Sequence, residues 1–111
     1  MFIPIVCHEL IGGKASGPTL QIIVNNISEK GVGFRSKTIY SVGLELQTEM
    51  YLPTRKMPIM PVIRISRVDS IVGTANYMMG ASFEKILPEE TDAIIECLEN
   101  LDLYKRSVSK R

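Results

Sequence analysis

The chain has 111 residues, of which 45% are hydrophobic and 23% are charged. This length is typical of one domain, and the apolar content excludes a disordered or collagen-like chain. The 13 basic and 12 acidic residues give a formal net charge of +1, which excludes the strongly basic field that holds a nucleic-acid polymer. We therefore expect a single domain over residues 1–111 that binds no DNA or RNA polymer.

Basic residues are concentrated in the last seven positions, at Lys105, Arg106, Lys110 and Arg111. The preceding 104 residues contain nine basic and twelve acidic side chains, so the body of the chain is mildly acidic. No apolar run reaches the roughly 18 residues of a membrane span, and the start lacks the basic region of a signal peptide. These features predict a cytoplasmic protein without membrane insertion.

The cysteines and the single histidine do not form a predicted metal or catalytic site. Cys7 and Cys97 are far apart in sequence, which favours two buried, reduced thiols. His8 follows Cys7 on a predicted strand, so their side chains should point to opposite faces. Zinc-binding spacing, nucleophile-elbow and phosphate-loop motifs are absent from the sequence. We expect no metal, no cofactor and no enzymatic activity.

The N-terminal third contains three β-prone runs separated by turn-forming residues. The first run is Phe2–Cys7, and the Gly- and Pro-rich segment Ile11–Pro18 predicts a connection after it. Thr19–Asn25 and Val32–Ser36 are the second and third predicted strands. Between them, Asn26–Gly31 predicts a turn whose final glycine adopts the left-handed conformation.

The clearest strand pattern lies between Val42 and Leu52. Its apolar face consists of Leu44, Leu46, Met50 and Leu52, with Thr48 as the single weak member. This period of two predicts a half-buried strand in an antiparallel sheet.

Further β-prone runs follow a proline-bearing connector at Pro53–Pro61. They are Val62–Ser66, Val68–Val72 and Tyr77–Phe83. About six short strands with turn signals between them predict an all-β fold. We expect a small six-stranded antiparallel barrel over about residues 1–86, because closure removes exposed sheet edges.

The pattern changes from strand to helix after Pro88. Glu89 and Glu90 suit the first turn of a helix, where negative charge meets the positive end of the helix dipole. An apolar stripe is formed by Ile94, Leu98 and Leu101. We expect a helix over about residues 88–104, packed on the barrel, and a basic tail over 105–111. An exposed part of the stripe would support a homo-oligomer.

The turn between the second and third strands has a second interpretation. Asn26, Ser28 and Gly31 match the pattern D/N-x-S-x-x-G, which is followed here by a hydrophobic strand. Later in the chain, the alternating strand ends in Leu52-Pro53, and Tyr77–Phe83 has the form Y-x-x-G-x-x-F before the terminal helix. In this order of elements the chain resembles a PilZ domain over nearly its whole length.

The resemblance implies a barrel that receives the bacterial second messenger cyclic di-GMP. By position, Asn26 would bond a guanine edge and Ser28 would supply a hydroxyl, while Gly31 would let the backbone approach the ligand closely. The other interpretation of these three residues is that they only build a tight turn.

The second motif of the family, R-x-x-x-R before the first strand, is missing, because no arginine precedes Arg35. Losing two charge-assisted bonds would weaken binding by about two to four powers of ten. We select Arg35, which directly follows the turn, as a fourth ligand-binding residue. Other basic residues that could replace the motif are Arg64, Arg67, Arg106 and Lys110.

Two functions follow from the resemblance. The first is a cyclic di-GMP receptor that regulates motility, surface polysaccharide or pilus processes through a protein partner. The alternative is a degenerate PilZ adaptor that binds no nucleotide and acts through protein contacts. Its candidate contact residues are the adaptable side chains Met57, Met60, Met78 and Met79.

Overall fold

The computed structural model describes the backbone of residues 3–109 and the side chains of residues 3–100. Within this range the elements are β1 (Ile3–Ile11), β2 (Lys14–Ile27), β3 (Gly31–Ser36), β4 (Glu45–Met50), β5 (Val62–Ser70), β6 (Tyr77–Lys85) and α1 (Pro88–Ser109). The strands pair in the closed order β1-β2-β3-β6-β5-β4, and each pair is antiparallel. This topology confirms the predicted six-stranded barrel with a terminal helix.

Alternate strand residues fill the interior of the barrel, as the period of two predicts. In β4 the side chains of Leu46, Thr48 and Met50 are buried, and the residues between them are half-buried. The buried Thr48 hydroxyl donates a hydrogen bond of 2.5 Å to the Pro61 carbonyl oxygen. This bond offsets the cost of burying a polar group, so the predicted inward face of the strand tolerates its one polar member.

Most strands are longer than the sequence pattern indicates, whereas β4 (Glu45–Met50) is shorter than the pattern between Val42 and Leu52. β1 and β2 form a hairpin closed by Gly12 and Gly13, whose φ angles of 61° and 79° suit glycine. Most of Ile11–Pro18, predicted as a connection, therefore lies in strands. The runs predicted on either side of Arg67 form one strand, β5, because pairing with β6 continues through a bulge between Ile65 and Arg67.

The helix also extends further than predicted. It continues to Ser109, so residues 105–109 of the predicted tail are helical, whereas residues 110–111 lie outside the described part of the chain. Neither glycine nor proline interrupts this stretch to end the helix. Ile94 is fully buried in the barrel core, and the half-buried Leu98 packs against it. These two residues of the predicted stripe therefore hold the helix on the barrel.

Glu90 links the start of α1 to the connector before β5. Its Oε1 accepts a hydrogen bond from the Leu87 N–H at 2.9 Å, and its Oε2 accepts one from the Met60 N–H at 2.6 Å. The carboxylate is buried and lies in the first turn, where negative charge stabilises a helix. One side chain thus fixes the position of both segments.

Replacing Glu90 by alanine is expected to lower the free energy of unfolding by about 2–3 kcal/mol, because two bonds to a charged acceptor are lost. The exposed neighbour Glu89 provides the control, since it contributes only its charge at the helix start, and Glu89→Ala should cost at most about 1 kcal/mol. Urea unfolding of both variants measures the difference. Equal destabilisation would show that Glu90 acts only through its charge.

Both cysteines are buried and reduced, which confirms the prediction from the sequence. Burial, assisted by the charge of Glu9, raises the pKa of Cys7 from 9.0 to about 11. Burial is also the main cause that raises the pKa of Cys97, with a smaller effect of Glu96. Both thiols therefore stay protonated at neutral pH and lack the nucleophilic form that reactive cysteines use.

Candidate ligand-binding groove

The turn between β2 and β3 brings the three motif residues to one groove on the outside of the barrel. Asn26 lies near the end of β2, Ser28 lies in the turn, and Gly31 begins β3. The Ser28 N–H donates to the Gly31 carbonyl oxygen at 2.9 Å, and Ser28 Oγ accepts a hydrogen bond of 3.2 Å from the Lys30 N–H. Ser28 therefore shapes the turn in which it lies.

Gly31 is required by strand packing. Its φ angle lies outside the left-handed region, so the predicted left-handed glycine is wrong. A Cβ at this position would overlap the Ala81 carbonyl oxygen and lie 3.1 Å from Ser82 Cα. Because these are backbone atoms that cannot move aside easily, β3 and β6 approach this closely only where residue 31 has no side chain.

Four strands contribute to a row of residues across the outer face of the barrel. Asn26 on β2 pairs with Gly33 on β3, and Gly33 pairs with Gly80 on β6. Gly80 in turn pairs with Arg67 on β5. Neighbouring strands lie about 4.8 Å apart, so the row from Asn26 to Arg67 measures about 14 Å along the curved sheet. Gly33 and Gly80 between them form a floor without side chains, which we call the glycine floor.

The groove above the glycine floor has the size and charge of a site for a small anion. Its volume is about 400 Å³, which is within the range of small-molecule sites. Lys30 and Arg67 line it, and none of its described lining residues is acidic. The Asn26 side chain is exposed and makes no hydrogen bond within the described chain, so its amide is free to bind a ligand.

Arg35, the fourth residue selected from the sequence, lies in a neighbouring groove. It is two residues beyond Gly33 on the same face of β3, and it shares its groove with Asn25, Lys37 and Asn76. A bulge between Val24 and Asn26 interrupts the β2–β3 register at this point. The structure thus brings Asn26, Ser28 and Gly31 together and places Arg35 outside their groove. Its role in ligand binding stays a prediction.

Arg67 is the arginine that lines the groove of the motif residues. Its Nε lies 2.9 Å from Asp69 Oδ2. Arg64, on the same strand, lies between two carboxylates, with Glu45 at 3.9 Å and Glu84 at 3.8 Å. The side chains of Arg106 and Lys110 lie outside the described part of the structure. From the sequence, Arg67 is only one of several basic residues that could replace the missing motif. Its position beside Gly80 could not be predicted, because it depends on the bulge in β5.

Metal-binding, catalytic and membrane-spanning features were also predicted to be absent, and the described residues bear on each of them. No group of three or more His, Cys, Asp or Glu side chains within the described part of the chain is placed to hold a metal ion. His8 Nε2 lies 3.5 Å from the Thr19 hydroxyl on the barrel exterior, while Cys7 points into the core. In residues 3–109, no helix combines the length and apolar character that crossing a membrane requires.

The closed antiparallel barrel and its terminal helix define a PilZ-like fold, as the resemblance predicts. The chain is similar in structure to an inhibitor of motility from Bacillus subtilis (MotI/DgrA), with a TM-score of 0.72 and 15% identity over 100% of this chain and 49% of that chain. It is equally similar to K. pneumonia MrkH in its apo state, with a TM-score of 0.72 and 17% identity over 100% of this chain and 50% of that chain.

A second structure of K. pneumonia MrkH gives a TM-score of 0.69 and 18% identity over 96% of this chain and 47% of that chain. At these identities the similarity establishes the fold alone. The chain spans about half the length of the structures it matches. Its sequence matches no protein-family model and no curated protein.

Proposed function

We propose that this chain is a receptor domain that binds cyclic di-GMP in the groove between Asn26 and Arg67. The observation that carries the proposal is the row across four strands, in which the exposed residues Asn26 and Arg67 stand on either side of the glycine floor. The PilZ-like fold and the match to D/N-x-S-x-x-G support the same ligand. A role in regulating motility is compatible with the structural similarity to an inhibitor of motility.

Each part of the groove has a chemical task in this proposal. The Asn26 amide carries both a donor and an acceptor, which suits the donor and acceptor pattern of a guanine edge. The glycine floor lets a flat purine approach the backbone because no Cβ stands in its way. Lys30 and Arg67 supply positive charge for the two phosphates.

Calorimetric titration of the purified chain with cyclic di-GMP tests the proposal. We expect binding to the wild type and an approximately tenfold loss of affinity in Asn26→Ala, equal to about 1.4 kcal/mol for the lost amide bonds. Asn25→Ala is the matched control because Asn25 faces the neighbouring groove, and its affinity should stay within about twofold of wild type. Absence of heat at tens of micromolar nucleotide would contradict the proposal.

An apolar patch supports a second candidate function, that of a protein-binding adaptor. Met57, Met60 and Leu87 are 78%, 54% and 56% exposed, and two adjoining grooves share Pro58, Leu87 and Glu90. Met79, one of the predicted contact residues, is instead 1% exposed and belongs to the core, so it is not available to a partner. Met78 lies in β6, lines neither of these two grooves and is half-buried.

Affinity capture with wild type and with a Met57→Ser/Leu87→Ser double variant tests the adaptor function without added nucleotide. A partner that the wild type retains and the double variant loses would support it. A partner that both retain, or no partner at all, would contradict this use of the patch. Because the patch and the groove share none of their lining residues, the two functions are tested separately.

A further inference from the structure

Arg67 and Asp69 form an exposed ion pair at the edge of the proposed ligand groove. The two residues are two positions apart on β5, and Arg67 Nε lies 2.9 Å from Asp69 Oδ2. Their side chains are 70% and 59% exposed, so solvent reaches the pair from outside. Exposed pairs of this kind are weak because water and salt screen them. The guanidinium can therefore leave Asp69 for a stronger partner.

The stem of Arg67 begins at the glycine floor, but its charged end is directed away from it. A Cβ added to Gly80 would lie 3.7 Å from Arg67 Cβ, so the arginine stands directly beside the floor. Asp69 pairs with Met78, and Arg67 pairs with Gly80. Asp69 thus lies two paired positions further from the motif turn than the floor does, and the ion pair draws the guanidinium toward the row of Met78.

The other arginines on this face are less suited to a ligand in the groove. Arg64 is placed between two carboxylates, Glu45 and Glu84. Arg35 belongs to the neighbouring groove. Lys30 lines the groove but carries a single ammonium group, whereas a guanidinium presents a planar fork that binds phosphate in two places.

We propose that Arg67 is the phosphate-binding arginine of this groove and that Asp69 competes with the phosphate for it. This inference rests on the proposed binding of cyclic di-GMP. In the free protein Asp69 holds the guanidinium. In the complex a phosphate of the nucleotide replaces Asp69, and the arginine turns over the glycine floor. Asp69 lowers the affinity of the groove in two ways, because it occupies Arg67 and because its own charge repels an anionic ligand.

Titrations of wild type, Asp69→Asn, Arg67→Met and the double variant with cyclic di-GMP test this inference. Asp69→Asn keeps the shape of the side chain and removes its charge, so binding should tighten about two- to fivefold. Arg67→Met keeps the stem and should weaken binding about tenfold or more. In the double variant the gain from Asp69→Asn should shrink, because the arginine that it releases is absent.

Glu96→Gln is the matched control for the loss of one negative charge. It breaks the Arg55–Glu96 pair, which has the same N–O distance of 2.9 Å and is also exposed, but lies between the connector and α1. Its affinity should equal that of the wild type. Far-ultraviolet circular dichroism of each variant verifies that the barrel is folded.

The possible outcomes distinguish the competition between Asp69 and phosphate from the proposed binding of cyclic di-GMP. If the wild type binds and Asp69→Asn matches both it and Glu96→Gln, the competition is refuted while the proposed function stands. If the wild type binds no nucleotide but Asp69→Asn does, the competition is supported, and the proposed function is refuted for the wild-type chain. If neither binds, the proposed function and the inference are both refuted.

Discussion

Gly31→Ala is expected to lower the free energy of unfolding by about 3 kcal/mol, which is at the upper end for an overpacked site. The added Cβ would overlap the Ala81 carbonyl oxygen and press on Ser82 Cα. Both atoms belong to the backbone of β6, so the methyl group is accommodated only by moving β3 and β6 apart. Denaturant unfolding at equilibrium measures the effect.

Gly33→Ala is the matched control, two residues along the same strand. An added Cβ there meets only ordinary contacts, the nearest at 3.6 Å to Asn26 Cβ. Since alanine is favoured over glycine inside a strand, the change should raise the free energy of unfolding by about 0.5 kcal/mol. Equal stability of the two variants would contradict the assignment of Gly31 as the close contact between strands.

Gly33→Val is expected to weaken cyclic di-GMP binding about 100-fold, equal to about 2.7 kcal/mol. A branched side chain at this position covers the glycine floor and pushes against the Asn26 amide, whose Nδ2 lies 3.7 Å from the position of an added Cβ. The barrel itself should remain stable because β-branched residues suit strands. Calorimetric titration, together with an unfolding curve, separates the two effects.

Gln21→Val supplies the control for adding the same side chain to an exposed strand position. Gln21 lies on β2 in the part that pairs with β1, away from the described lining of the groove. This variant should bind as the wild type does. If Gly33→Val also binds as the wild type does, the nucleotide does not lie on the glycine floor.

Much of the barrel could be predicted because its signals are local. The alternation of Leu46 and Met50 with polar residues determines which face of β4 is buried, and the structure agrees. Pro88 followed by two acidic residues marks the start of the helix, again as observed. These signals depend on residues that are close in sequence and on the periods of strand and helix. A single amino-acid sequence is therefore enough to detect them.

The arrangement of the groove could not be predicted because it depends on register between distant strands. Gly33 and Gly80 face each other only because β3 pairs with β6, which is not its neighbour in sequence. Arg67 stands beside Gly80 because a bulge adds one residue to β5. Without the bulge, a shift of one position would turn its side chain to the other face of the sheet. Neither the pairing of β3 with β6 nor the bulge in β5 is indicated by a local sequence pattern.

In the free protein, two of the three motif residues support the fold, and the side chain of the third is exposed. Gly31 permits the approach of β3 to β6, and Ser28 Oγ accepts a bond within the turn. Of the two motif residues with polar side chains, only Asn26 makes no side-chain hydrogen bond within the described chain. The tight-turn interpretation therefore accounts for two of the three residues, and the ligand interpretation has its strongest support at Asn26.

The most direct test of the central claim is a nitrogen-15 amide spectrum recorded during titration with cyclic di-GMP. We expect the backbone amides of Gly33 and Gly80 and the side-chain amide of Asn26 to shift together and to saturate with one affinity. The amides of Met57 and Leu87, on the apolar patch, should stay in place. Shifts confined to that patch, or none at millimolar nucleotide, would contradict a binding site on the glycine floor.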